Sequence, residues 1–543
     1  MDIKRLRQTI DDLFTKRSTF MMLLQEISEN FYPERADFTV KRVMGDNFAD
    51  YLTTSFPVLC RRDLGDQIGT MLRPTQKEWA HMALRDERKL DNDGKRWLEW
   101  ATGVQRRAMY DPVTQFTRAT KEGDHDFAAF GQCVLSVRLN RRTNALLYRC
   151  WHIRDVVWME DEDGKICLIA RKWKPYAHEL HSKFKDKNHP DVARDANQQP
   201  FKEMNCLHII VGSHLFDGEA RGRPYWSVYY DVDHEQLLEQ EPVWNKEYMI
   251  PRWQTVSGSQ YAYSPATIVG LPDARLIQSM TYTLLEAGEK LANPPMVATI
   301  DAVRSDVSIY AGGITWVDNE YDERMGPSLR QLEQSATGMP LSVDMQRDAR
   351  NMLTQCFYLN RLRPFNPSTD PQMTAFQAGQ IVQDWIRQAS PLFEPMEMNY
   401  NGELMELSFG ELLRGGAFGS AYDMPESLQG ADIQFRFESP LHDAIEQQKG
   451  QKFLEMGQLL AQAAAMDRRA NSVTDVVAAF RDALEGIKAP AKWLRSEADS
   501  EKIQQQQQEA EEAAMALGEL EQGSKAAANL GKASRDMAAV GIA

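Results

Sequence analysis

Two uninterrupted helical stretches that bracket a short insert bounded by proline and glycine constrain the fold of this chain more than any other feature. From Pro272 to Ala292 nothing breaks a helix, and Ile277, Met280, Leu284, Gly288 and Leu291 recur on one face. Such a rod is about 31 Å long at ~1.5 Å per residue, and Asn293-Pro294-Pro295 ends it. A second rod is predicted from Val343 to Tyr358, with Ser342 as its N-cap and Met345, Ala349, Met352 and Phe357 among its apolar positions. Between them, residues 296–340 hold short β-like pieces, MVATI and ITWVD, and a glycine-rich approach to Gly338-Met339-Pro340. Two rods around a small unit carry it out on a stalk and bring the chain back. The return point is LNRLRPFNPSTDPQMTAFQA, Leu359 to Ala378, where Arg361 and Arg363 stand on a loop shaped by Pro364, Pro367 and Pro371. Asp370-Pro371 reads as an N-cap followed by proline at the first helical position, so a helix is expected to run on through IVQDWI. Pro391 and Pro395 are expected to kink it before MELSFGELLR.

Upstream, the first 30 or so residues are predicted helical around Leu6, Ile10, Leu13 and Phe14. A helix from Thr54 to Leu72 places Phe56, Leu59, Leu64, Ile68 and Leu72 on one broad face, and a strand follows at Trp79–Leu84. Residues 89–130 return to helical spacing around Trp97, Trp100, Val104 and Met109. From Gly131 to Val211 the segments CVLSVRL, ALLYRCWHI, DVVWME and ICLIARKW predict a small antiparallel sheet, with Asp161–Gly164 as a hairpin turn. After IQFRFESP, helix is expected from Leu441 to Leu494. The Ala-, Gln- and Glu-rich end of the chain favours either an assembly-dependent helix or a disordered tail.

At 543 residues the chain exceeds one hydrophobic core, so about three domains or sub-domains are expected. Its 43% hydrophobic and 26% charged content is that of a folded soluble protein. No apolar run is long enough to cross a bilayer and the N-terminus mixes charges at once, so no membrane partner and a cytoplasmic location after synthesis are expected. A net charge of −15 excludes gripping nucleic acid over the general surface, leaving only local contact. The six cysteines, Cys60, Cys133, Cys150, Cys167, Cys206 and Cys356, form no C-x-x-C pair and read as buried thiols.

Enzymatic motifs are not found. His178 and His181 in HELH are three apart, where a zinc helix needs four, and there is no phosphate loop, dinucleotide fingerprint or nucleophile elbow. Asp124, Asp126, Asp161 and Asp163 suit a dispersed two-metal site only if folding gathers them, and solvated turns are the default for such residues. No catalytic residue, metal or cofactor is expected.

The order helix, sheet, stalk helix, small unit, stalk helix, loop, long kinked helix resembles the portal proteins of tailed bacteriophages, the head-to-tail connectors of the short-tailed, T7-like type. YLTTSFPVLCRRDLGDQIGTMLRPTQKEWAHM is similar to that family's early helix followed by proline and a Trp-bearing strand. PRWQTVSGSQYAYSPATIVGLPDARLI resembles its R-W … Y-G-x-S-P … L-P-D stretch at Arg252, Trp253, Tyr263, Ser264, Pro265, Leu271, Pro272 and Asp273. Pro294 and Pro295 resemble its stalk-ending double proline, and Met373, Thr374 and Ala375 its Met-Thr-Ala helix start. The likeness runs in consistent order over about residues 50–415.

The resemblance implies an α+β, mainly helical, multidomain portal-type fold with wing, stem, clip and crown, assembling into a ring, a dodecamer by family analogy. It assigns residues 1–265 to the wing, 266–295 to stem helix 1, 296–340 to the clip, 341–359 to stem helix 2 and 360–370 to a channel loop. Residues 371–440 become the long kinked helix and wing return, 441–497 the crown helices, and 498–543 a C-terminal barrel helix or tail. The implied role is a ring at one capsid vertex that nucleates procapsid assembly, passes double-stranded DNA during packaging and ejection, and joins head to tail. Implied partners are further copies of the chain, double-stranded DNA, the terminase large subunit, tail adaptor and tail proteins, and the major capsid and scaffolding proteins. The implied location is the virion, with the host cytoplasm during assembly. Arg361 and Arg363, repeated around the bore, would then meet DNA or pair with acids of a neighbouring subunit. Two competing readings are a phage-encoded metal-dependent nucleic-acid enzyme and a scaffolding or internal virion protein.

Overall fold

The computed structural model describes residues 1–43, 45–85, 91–140, 142–298, 329–331, 339–362, 396–420, 424–437 and 453–462, with a few isolated positions besides. The chain divides into two compact units. The first comprises Met1–Trp79, Gln105–Phe418 and Phe437–Leu441; the second comprises Ala80–Val104, Gly419–Arg436 and His442–Ala543.

In the first unit, α1 (Ile3–Lys16) and α2 (Ser18–Phe31) form as their spacing predicts, and Asp2 caps α1 by accepting from the Arg5 N–H. Helix α3 (Phe56–Leu72) buries Cys60, Leu64, Ile68 and Leu72, but Leu59 turns outward, because the inner face is narrower than the apolar pattern suggests. Helix α4 spans Asn92–Met109, its residues up to Val104 belonging to the second unit and those from Gln105 to the first, and α5 (Phe116–Phe130) packs on α3 and stops at Gly131.

The predicted single sheet is two sheets. Strands β2 (Val134–Asn140) and β3 (Ala145–Trp151) form a hairpin extended by the short β9 (Tyr248–Met249). The chain then builds a separate five-stranded antiparallel sheet: β4 (Val156–Glu160), β5 (Ile166–Trp173), β6 (Cys206–Gly212), β7 (Tyr225–Asp231) and β8 (Gln236–Val243). The β4–β5 turn is the expected hairpin, with Gly164 at φ +72° and Asp161 Oδ1 accepting from the Asp163 and Lys165 N–H groups. Helices α6 (Ala177–Phe184) and α7 (Pro190–Gln198) fill the β5–β6 connection.

Alternation assigns the faces of the large sheet. Leu168, Ala170, Leu207, Ile209, Val211, Trp226, Val228 and Tyr230 pack beneath Leu6, Ile10 and Leu13 of α1. Each of those three helix residues contributes about 1.5–3 kcal/mol by burial. The opposite face, with Arg171, His208, Ser227 and Tyr229, looks toward the β2–β3 hairpin.

Short strands β10 (Gln254–Thr255) and β11 (Ala262–Tyr263) lead into the long helix α8 (Pro265–Ala292). This helix begins seven residues earlier than the sequence pattern suggests, because Ser264 caps it. Pro272 is therefore an interior residue whose ring points to solvent. The chain leaves α8 through Asn293, Pro294 and Pro295 into β12 (Met296–Ala298), which pairs with β13 (Leu329–Gln331). Helix α9 (Met339–Cys356) also starts earlier than predicted, so Ser342 is helical rather than a cap. After the short α10 (Leu359–Leu362), described chain resumes with a π-helical turn, Glu397–Gly402, that runs directly into α11 (Glu403–Arg414). The ITWVD segment apart from Trp316, the helix start at Pro371 and the run through IVQDWI lie outside the described residues.

In the second unit, β1 (Ala80–Leu84) pairs with β14 (Ile433–Phe437). The Met82 N–H donates to Thr102 Oγ1 at 3.0 Å and Ser427 Oγ to Asp91 Oδ1 at 2.6 Å. Phe453 and Phe480 meet at 5.6 Å. Of the helical run expected from Leu441 to Leu494, residues 453–462 are described together with Val476, Ala479, Phe480, Ala483 and Leu484, and all are helical.

Candidate nucleic-acid interface and its anchoring

The motif residues of PRW…YSP converge on the root of α8. Ser264 Oγ donates to the Ala128 carbonyl at 2.7 Å while accepting from the Thr267 N–H, and Thr267 Oγ1 donates to the Ala129 carbonyl at 2.8 Å. The cap thus closes two helices at once: it satisfies the start of α8 and holds the end of α5. Pro265 takes the first helical position, where its missing N–H costs nothing. The Trp253 N–H donates to the Gly131 carbonyl at 2.7 Å, and the Trp253 ring stacks on Phe127 with centroids 5.5 Å apart. Arg252 pairs with Glu160 and its Nη1 donates to the Gln260 carbonyl; burial lowers its pKa. Tyr263 sets its ring edge-on to Phe20. Gly131 makes the junction possible: it sits at φ +72°, and a Cβ there would lie 2.1 Å from the Tyr263 carbonyl carbon. Leu271 is buried one turn further along α8, with Pro272 exposed and Asp273 half-buried beside it.

Helix α9 returns antiparallel to α8: Gln346 Nε2 donates to Thr281 Oγ1 at 2.8 Å, while Leu353 and Phe357 close on Gly270. Ala349, Leu353 and Phe357 form the buried face, and Phe357 meets Phe31 at 5.3 Å. Met345 and Met352, expected on the apolar face, are exposed. With them stand Tyr282, Leu285, Leu341 and Val343, a set of uncovered apolar side chains along the pair. Tyr358 turns the chain through φ +56°, and its carbonyl accepts from the Arg361 and Leu362 N–H groups. Arg361 is therefore not on an open loop but on the helical turn α10, anchored by buried Leu359 and Leu362 while its own side chain is exposed. Its guanidinium lies 6.0 Å from the Tyr358 ring centroid, and no carboxylate among the described residues pairs with it. Arg363, Pro364, Pro367, Pro371, Met373, Thr374 and Ala375 lie outside the described residues.

Beneath this root is a set of buried charges. Asp124 and Asp126 are not solvated turn residues: both are buried on α5, and each carries an arginine. Arg73 pairs with Asp124, donates to Asn401 Oδ1 at 2.8 Å and lies 4.5 Å from the Tyr400 ring centroid. Asn401 Nδ2 in turn donates to the Leu72 carbonyl at 3.0 Å. Arg35 reaches Asp126 with two bonds of 3.1 Å, and that carboxylate raises the arginine's pKa. Asp161 and Asp163 stay in the β4–β5 turn, so the four acids form no common site. Arg73 had one sequence cue, its place at the helix-ending Arg-Pro step; the arginine partners of the two aspartates had none.

Other titratable groups have structural employment. His178 Nδ1 lies 2.8 Å from the Pro200 carbonyl. His189, Asp191 and His234 place three ligand-type atoms within 4.8 Å of one another. Here His189 Nδ1 caps α7 by accepting from the Asp191 N–H, His234 Nδ1 lies 2.8 Å from Asp231, and the two imidazoles stack at 4.4 Å. Cys60, Cys133, Cys167 and Cys206 are buried, Cys150 and Cys356 partly so, and all six are free thiols.

Comparison with known proteins bears on this arrangement. The chain is 26% identical over 442 residues to the "Probable portal protein" of Bordetella phage BPP-1, covering 80% of this chain and 78% of that protein. It is 21% identical over 246 residues to the "Portal protein" of Salmonella phage epsilon15, covering 45% and 43% respectively. Among solved structures, a chain from the virion of a native gene transfer agent particle matches with a TM-score of 0.33 and 9% identity, over 81% of this chain and 95% of that one. That structural likeness is too loose to carry an argument. Residues 3–494 match the family described as "Bacteriophage head to tail connecting protein". Because that match runs over most of the chain, the protein belongs to the bacteriophage head-to-tail connecting family.

Proposed function

We propose that copies of this chain close into a ring at one capsid vertex, a dodecamer by family analogy, through which double-stranded DNA enters and leaves. One observation carries the ring: the exposed apolar side chains Tyr282, Leu285, Met345 and Met352 along the α8–α9 pair. Apolar surface displayed on two packed helices favours burial against another copy. The unit between the helices, residues 296–340, is the clip that receives the terminase large subunit and then tail proteins. The wing contacts capsid and scaffolding proteins, and residues beyond Leu441 form the crown. In this reading the protein is structural and catalyses no reaction.

Arg361 and Arg363 face phosphate in the channel. Exposure of Arg361 with no carboxylate partner among the described residues supports this, since an arginine committed to packing is usually paired or buried. Negative-stain images of the purified protein are expected to show closed rings with a central hole. Arg361→Gln/Arg363→Gln is expected to keep the ring, weaken DNA retention and flatten its salt dependence, because fewer phosphates are neutralised. Elongated low-order oligomers, or metal-dependent DNA cleavage by the pure protein, would overturn the reading.

A further inference from the structure

Between the two sheets of the first unit lies a cleft of about 1260 Å3, larger than the ~300–1,000 Å3 of a small-molecule pocket. Strand register decides what lines it. On the hairpin, Ser136 stands opposite Arg149 and Arg138 opposite Leu147, so Arg138, Arg149 and Trp151 share the inner face. On the large sheet, Arg171 stands opposite His208, and His208 opposite Tyr229. Helix α6 adds Lys183 at the rim.

Arg138, Arg149, Arg171 and Lys183 make no ion pair within 4.0 Å among the described residues. They are held by other means. Arg171 is only 7% exposed; its Nε donates to Tyr248 Oη at 2.8 Å and its guanidinium lies 3.8 Å from the Trp151 ring centroid. Lys183 Nζ sits 3.6 Å from the Tyr229 ring centroid. Lys183 is an exposed residue, yet partial desolvation of its ammonium among the cleft's side chains, then the charge of Arg138, pulls its pKa down to about 8. Desolvation and the neighbouring arginines lower Arg149 as well. Like charges kept together at this cost are relieved by an incoming anion.

The same cleft also carries Glu239 and Glu241 on β8 and the partly buried Glu247, whose carboxyl is raised by desolvation. That mixed lining disfavours a continuous phosphate backbone and suits separate carboxylates placed along the cationic wall. Trp244, 53% exposed at the cleft, offers the aromatic anchor typical of protein interfaces. We propose that the cleft docks an acidic segment of a partner protein, with Arg138, Arg149, Arg171 and Lys183 receiving its carboxylates and Trp244 an apolar side chain. This docking does not depend on the DNA-channel reading above.

The test uses the full chain and a fluorescein-labelled peptide of Glu, Asp and Trp residues, followed by fluorescence anisotropy at low salt. Arg138→Gln and Arg149→Gln, both at exposed side chains, are each expected to weaken binding about tenfold, the loss of one charge-assisted hydrogen bond. Lys183→Met serves as a third variant should either of these fail to fold, and Arg118→Gln, whose residue lies outside the cleft, is expected to leave binding unchanged. Inorganic phosphate and a single-stranded oligonucleotide of equal charge are expected to displace the peptide poorly. No binding by the unaltered protein, unchanged binding in the cleft variants, or better displacement by the oligonucleotide than by unlabelled peptide would each overturn the proposal.

Discussion

Replacing Arg73 with methionine removes one partner of the buried pair while roughly keeping volume. At an effective dielectric near 20, opposite charges about 4 Å apart attract by about 4 kcal/mol. A charge-assisted bond such as that to Asn401 adds ~1.5–3 kcal/mol. These gains offset desolvation in the intact protein, so the net worth of the pair is small. Removing one partner leaves the other charge buried and costs about 3–5 kcal/mol. The loss has a pH signature. Burial already raises the Asp124 carboxyl above its ordinary value, even with the Arg73 charge opposing it. A carboxyl raised by folding holds protons that the unfolded chain releases, so stability falls as pH climbs from the unfolded toward the folded value. Without Arg73 the folded value rises further, so the variant is weakest near neutrality and recovers toward about pH 4. Urea denaturation followed by tryptophan fluorescence, at fixed protein concentration and at both pH values, measures the effect. Arg73→Met/Asp124→Leu is expected to regain more than half of the loss. A single variant equally stable at both pH values, or a double variant no better than the single, would refute the account.

Phe357→Ala removes the side chain that seats α9 on Phe31 and Gly270 and is expected to cost about 3–5 kcal/mol, read from the urea midpoint. Limited proteolysis should then cut within α9 before other helices of the first unit. Gly131→Ala drives a Cβ into the Tyr263–Ser264 backbone at a positive φ, and an expected loss above about 3 kcal/mol should appear as reduced soluble yield and a lowered thermal midpoint.

How far the sequence could be read depends on the range of the forces involved. Helices α1, α3, α4 and α9 were legible because apolar spacing is a local signal that survives without knowledge of neighbours, whereas the break at Pro112–Thr114 that separates α5 from α4 was not. Their ends were harder. The true start of α8 rests on Ser264 reaching the Ala128 carbonyl, a bond between residues 136 positions apart. An interior proline at 272, read as a start, is tolerated because that part of the helix is clamped by packing on its other side. The split into two sheets was invisible for a similar reason: alternation gives faces to a strand but does not name its partner. Of the site, the motif residues were identifiable through family likeness, while Arg73, Arg35 and Gly131 matter only through distant contacts. The outward turn of Met345 and Met352 was missed because spacing cannot distinguish a face covered within one chain from a face left open.

The unequal grip on α8 makes it a lever. Its fully buried side chains end at Ile277, so roughly the first 13 residues, about 20 Å at ~1.5 Å per residue, are clamped, and about 22 Å projects beyond them. A rotation of only about 5° at the clamp displaces the far end by roughly 2 Å, the scale on which packed helices shift between alternative states. Ala274 and Ile277, the last buried side chains of α8, sit at that fulcrum, and the β12–β13 ribbon follows the moving end. A disturbance too small to notice at the root therefore arrives at the ribbon magnified, and movement imposed on the ribbon returns to the root with mechanical advantage.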